Sequence, residues 1–190
     1  MKKFFFVGMI VLLIQAGARA QTSNVHFGLK AGINMSTVHV EDGPDYDSRT
    51  GFYAGGLAHI HLTKHFAVQP EVLYSSQGAE DGNIKYKTGY INVPILGQYM
   101  TNTGFRLQTG PQVGFLVSAK NKIEDLEVNV KDNYNTVDFA WSFGASYISK
   151  TGLGLDARYN LGLSNIDDNE SNPKATNRVF QVGAFYQFQH

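Results

Sequence analysis

The sequence contains no cysteine. Disulfides, thiolate metal ligands and thiol nucleophiles are therefore excluded. Charge is also scarce: Asp, Glu, Lys and Arg make up 17% of the 190 residues, below the roughly 25% usual for a soluble domain. A basic excess is missing too. After residue 20, thirteen Lys and Arg face sixteen Asp and Glu, a net of −3, so no nucleic-acid footprint is expected. Beyond Ala20 no apolar run approaches the roughly 20 residues of a spanning helix. Any membrane crossing in that part must be made by strands.

The first twenty residues read as a secretory signal. Lys2 and Lys3 form a basic start, Phe4 to Ile14 an apolar run, and Ala18-Arg19-Ala20 a small-x-small cleavage site. Cleavage after Ala20 would leave one domain over 21–190.

Helical periodicity is nearly absent after Gln21, and period-2 alternation recurs instead. It predicts eight strands, at 26–37, 51–62, 66–77, 86–100, 105–118, 136–149, 153–165 and 177–189. These are longer than the 5–6 residues typical of globular strands and match the roughly 9–11 of tilted transmembrane strands. The connections alternate. Segments 63–65, 101–104 and 150–152 are tight, whereas 38–50, 78–85, 119–135 and 166–176 are long. The long segments carry thirteen acidic against six basic residues, and the tight ones carry Lys64 and Lys150 with no acid. Short turns on one side and long loops on the other suit an outer-membrane barrel with both termini periplasmic.

Alternation alone does not say which face is outside; the composition of the polar face does. On the first strand Phe27, Leu29, Ala31, Ile33 and Met35 oppose Gly28, Lys30, Gly32, Asn34 and Ser36. A water-facing exterior would be rich in Lys and Glu. Here the polar face is glycine-rich, and six charges stand well inside strands: Lys30, Glu71, Arg106, Asp138, Asp156 and Arg158. An eight-stranded barrel has a lumen just wide enough to be filled by side chains. Six charges fit there if they pair, because an unpaired buried charge is costly. Phe66, Tyr74, Tyr90, Tyr99, Phe105, Phe115, Tyr147, Tyr159, Phe180, Tyr186 and Phe188 fall mostly toward strand ends, as interfacial belts require. The expected fold is an all-β, closed eight-stranded antiparallel up-and-down transmembrane barrel. The alternative is a soluble periplasmic lipocalin-like binder with the faces reversed.

Four motifs in order carry a family resemblance. Gln69 to Ser76 with Gly78 matches "QPELLYSxxG", and Tyr90 to Leu96 matches "YLxIPLL". Phe27 to Ser36 matches "xGxKxGxNxS", and Leu155 to Ile166 matches "LDxRYxxGLxNI". Together they resemble the PorT-like outer-membrane β-barrel proteins of Bacteroidetes. The resemblance implies a small outer-membrane barrel and a link to protein secretion. The chain departs from such barrels in following its last aromatic, Phe188, with Gln189 and His190.

Chemical constellations are few. His59 and His61 with Glu71 could hold a metal, though hydrogen-bonded interior histidines are the simpler reading. Asp156 and Arg158 superficially resemble a catalytic pair, but no nucleophile context accompanies them. Four acids in "EDGPDYDSRTG", Glu41 to Gly51, lack the spacing of the twelve-residue calcium loop. No catalytic residue, metal site or cofactor is assigned, and no enzyme is expected. Expected partners are outer-membrane lipid and lipopolysaccharide, the barrel-insertion machinery and secretion-system components.

Overall fold

Among the residues described by the computed structural model (24–41, 43, 46–81, 84–123, 126–131, 134–167 and 173–188) the alternation becomes nine strands. They are β1 (Val25–Val40), β2 (Asp47–His61), β3 (Phe66–Asp81), β4 (Ile84–Met100), β5 (Phe105–Ile123), β6 (Leu126–Asn129), β7 (Val137–Ile148), β8 (Leu153–Gly162) and β9 (Ala175–Gln187). The signal segment, several loop acids (among them Asp42, Asp45, Glu124 and Asp168) and Gln189 and His190 lie outside the described residues.

Every neighbouring pair is antiparallel. The ring runs β1-β2-β3-β4-β5-β7-β8-β9 and closes where β9 pairs with β1. Eight strands thus form a closed barrel without an edge. Lipid offers the backbone no hydrogen bonds, so closure is the condition for crossing it with strands. The short strand β6 is a spur that pairs with the outer end of β5.

At the tight end two turns share one design. Gly104 donates to Thr101 O and Gly152 to Ser149 O, and both glycines have positive φ, 92° and 87°. That backbone conformation disfavours a side chain, so glycine stands at both places.

At the other end the strands run further than alternation indicated. The segment 78–85, expected as a long loop, is a ladder from Gly78↔Lys87 to Asp81↔Ile84. The segment 119–135 contains the end of β5 and all of β6. Above the lipid both faces of a strand are wet, so the apolar half of the pattern stops while the backbone still pairs.

The two faces sort by polarity in reverse of a soluble protein. Leu155 is 66% and Leu29 60% exposed, whereas Arg158 and Glu71 are each 1% exposed. An exterior of leucine, isoleucine and phenylalanine over a charged interior belongs in lipid, and it does not favour the lipocalin-like alternative. Phe66, Tyr99, Phe105, Tyr147 and Tyr186 are exposed at the tight end, with Phe66 against Tyr99 at 5.5 Å and Tyr186 against Phe188 at 5.6 Å. Tyr90 corrects the expected belt: it is buried inside the barrel. It shares the inward parity of Asn92, and a bulge places Val117 out of register, with Tyr90↔Leu116 and Gly89↔Ser118.

Candidate functional site: the charged lumen

Inward parity on β1, β3 and β8 brings Lys30, Glu71, Asp156 and Arg158 to one level of the barrel, all buried. Arg158 meets Glu71 through two parallel contacts, Nη1 to Oε2 and Nη2 to Oε1, each 2.9 Å. Lys30 Nζ lies 2.6 Å from Asp156 Oδ1 and 3.5 Å from Glu71 Oε1. Arg158 Nη2 is 3.7 Å from Asp156 Oδ2. Two cations and two anions therefore form one neutral cluster. The bidentate geometry suits the planar guanidinium and satisfies most of what burial removes from water.

Neutral side chains complete the cluster. Gln69 donates to Glu71 Oε1 at 2.8 Å, and Gln108 donates to Asp156 Oδ2. On the outer side Asn34 donates to Ser75 at 2.9 Å. Ser142 donates to Asn160 at 2.7 Å, and Asn160 to Gln181 at 3.0 Å. Even spacing puts Asn34 on the face of Lys30, Ser75 on that of Glu71, and Asn160 on that of Asp156 and Arg158, but it does not say which of them meet.

The other two expected members stand apart. Asp138 lies nearer the outer end and accepts hydrogen bonds from Asn177 at 2.9 Å and Ser164 at 2.7 Å. Arg106 lies near the tight end, where it donates to Gln187 at 3.2 Å. Both face the lumen outside the ion-pair cluster: Arg106 stands one inward position from Gln108, which donates to Asp156, and Asp138 stands toward the opposite end. Position along the barrel axis decides pairing, and parity does not report it.

Glu71 is engaged by Arg158 and Lys30, and His59 Nδ1 by Gln69 Oε1 at 3.2 Å, so the His59, His61 and Glu71 combination does not come together as a ligand set. Among the described residues no group of three His, Asp or Glu is arranged to hold a metal ion. Asp156 and Arg158, weighed as a catalytic pair, are both members of the charge cluster.

The outer mouth is capped by apolar packing. Tyr90, Leu116 and Ala119 are buried together, with Val130 and Tyr134 against them. From outside inward the lumen is thus an apolar cap, a hydrogen-bonded carboxylate, a neutral charge cluster and an arginine near the periplasmic turns.

An outward apolar belt, an inward polar core and eight closed strands are also what the comparisons find. The outer membrane protein beta-barrel domain matches residues 19–168. The chain belongs to that family. Its members' setting places this protein in the outer membrane. Among solved structures it is similar to Ail, the attachment invasion locus protein of Yersinia pestis. The identity is 18% and the TM-score 0.56, over 87% of this chain and 99% of that one. It is also similar to Neisserial surface protein A, with 14% identity and a TM-score of 0.63, over 85% of this chain and 97% of that one. At these identities the likeness is one of fold. No curated protein matches the chain by sequence. The outer-membrane barrel family thus fixes where the charged lumen sits: across the bilayer, with the tight turns at the periplasmic face.

Proposed function

We propose that the protein is a non-enzymatic outer-membrane barrel whose lumen is a structural plug and whose work is done by its ends, in envelope support and surface contacts. The observation that carries this reading is the Arg158–Glu71 pair with Lys30 and Asp156, which fills the bore under an apolar outer cap. A bore occupied by mutually paired charges offers no water column, and wide channels belong to barrels of about 16 strands. The outer ends of β1, β3, β4, β5 and β9 continue as paired backbone above the apolar belt, which makes them a stiff platform for contacts.

The partners that suit this arrangement are the lipid of both leaflets, lipopolysaccharide at the acid-rich outer end and the barrel-insertion machinery. The PorT-like motifs add secretion-system components as the finer assignment. In a deletion strain, the full chain should restore resistance to detergent. A chain whose outer segments 41–46 and 124–136 are shortened to tight turns should fold, judged by heat-modifiable gel migration, and fail to restore it. Full restoration by the shortened barrel would contradict a role for the outer platform.

A further inference from the structure

The charge cluster is balanced, and Arg106 is not part of it. Arg106 is 6% exposed, and the ion pairs found among the described residues do not include it. Its Nη2 donates to Gln187, and its Nη1 has no hydrogen-bond partner. Three other strands bring further unpartnered polar atoms to the same end of the lumen: His59 Nε2 on β2, Gln98 Oε1 on β4 and Gln187 Nε2 on β9. All three residues are 5% exposed or less.

The donor or acceptor character of each atom is dictated by the carboxylates deeper in the lumen. A carboxylate only accepts, so Gln69 must turn its amide nitrogen to Glu71 and its oxygen to His59. His59 Nδ1 then carries the proton, and Nε2 is left as a lone pair. Gln108 likewise gives its nitrogen to Asp156, so its oxygen accepts from Gln98 at 2.9 Å and Gln98 Oε1 is left as an acceptor. Gln187 spends its oxygen on Arg106 and keeps a free N–H pair. The mouth therefore presents two donors, one of them cationic, and two acceptors.

A simple anion satisfies only the donors. A hydroxyl-bearing oxyanion satisfies both kinds: its charged oxygens take the N–H groups and its O–H gives to a lone pair. We propose that the periplasmic mouth is a binding site for an oxyanion of the hydrogenphosphate class, with Arg106 and Gln187 donating and His59 and Gln98 accepting. Entry is from the periplasm. The outer side is closed by the charge cluster and the apolar cap, and toward the tight turns stand the half-buried His26 and His61, whose rings pack edge to face at 5.4 Å. The ligand is either free phosphate or the monoester headgroup of an anionic lipid.

The test uses the full barrel refolded in zwitterionic micelles, with arginine side-chain NMR signals followed during titration at neutral pH and constant ionic strength. Inorganic phosphate should shift the Arg106 signal saturably and leave Arg158, already held by Glu71, unmoved. Sulfate, which lacks the hydroxyl, should bind about tenfold more weakly or worse. A short-chain phosphatidate arm identifies the source: saturation by it at concentrations where phosphate has no effect assigns the lipid headgroup, and the reverse assigns free phosphate. Arg106→Gln should abolish saturation with either. Equal affinity for phosphate and sulfate, no saturable shift (a mouth filled by solvent alone), or saturation retained in Arg106→Gln would each overturn the site. If Arg106→Gln does not fold, the phosphate and sulfate titrations of the unaltered barrel still decide.

Discussion

Arg158 on β8 and Glu71 on β3 meet inside the barrel in a two-pronged pair, both contacts at 2.9 Å and both side chains withdrawn from water. Removing one partner leaves a buried charge whose desolvation is no longer offset. Glu71→Gln leaves Lys30 and Arg158 with Asp156 alone and should cost about 3–5 kcal/mol. Arg158→Leu should lower the unfolding temperature for the same reason. The double change Glu71→Met with Arg158→Met keeps Lys30 and Asp156 as a balanced pair, so it should cost much less than the sum of the singles. Trp141 is the sole tryptophan, and its fluorescence in a denaturant titration reads all of these.

Tyr53 lies inside the barrel across Gly32 and Gly183, close enough that a side-chain carbon at either position would strike its ring or hydroxyl. Gly183→Val should displace the ring and destabilise by about 1–3 kcal/mol. The Tyr53 hydroxyl has no partner among the described residues, so Tyr53→Phe should change stability by less than about 0.5 kcal/mol. Thermal unfolding of the two variants measures the contrast directly.

Ile33 points into lipid at the middle of β1, paired with Phe52 and Val182 on the neighbouring strands. Ile33→Arg should cost about 2–4 kcal/mol, the usual penalty for a cation at the midplane on the lipid face. Asn102→Arg, on an exposed tight turn, should leave stability within about 0.5 kcal/mol. Equilibrium folding into vesicles under a denaturant gradient distinguishes them.

Gly104→Ala and Gly152→Ala force a side chain into positive φ and should each cost roughly 1–2 kcal/mol. The check is the unfolding midpoint of each variant, compared with Thr103→Ala, which keeps the backbone conformation available.

Much of this architecture is written in the sequence because a two-residue repeat carries both conformation and orientation. Lys30 between Gly28 and Gly32 could only face the lumen once Leu29 and Ile33 were assigned to lipid. The level of each residue along the axis is not carried by that repeat. Arg106 and Asp138 share the parity of Arg158, yet they sit toward opposite ends, because cross-barrel neighbours are set by the stagger of strands that are not adjacent in sequence. Tyr90 differs for a related reason: an aromatic near a strand end reads as interfacial, while parity with Asn92 puts it inside. His26 shares the luminal parity of Lys30, but it lies 33 positions before His59, and only register, His26↔His59, brings the two together.

The central claim is that paired charges close this outer-membrane barrel. Single-channel recording on the refolded protein in planar bilayers tests it most directly. The protein should give no large, stable conductance steps, and Arg158→Leu with Glu71→Leu, which keeps the bore filled with apolar groups, should behave the same way. Large, long-lived steps from the unaltered protein would contradict a filled lumen.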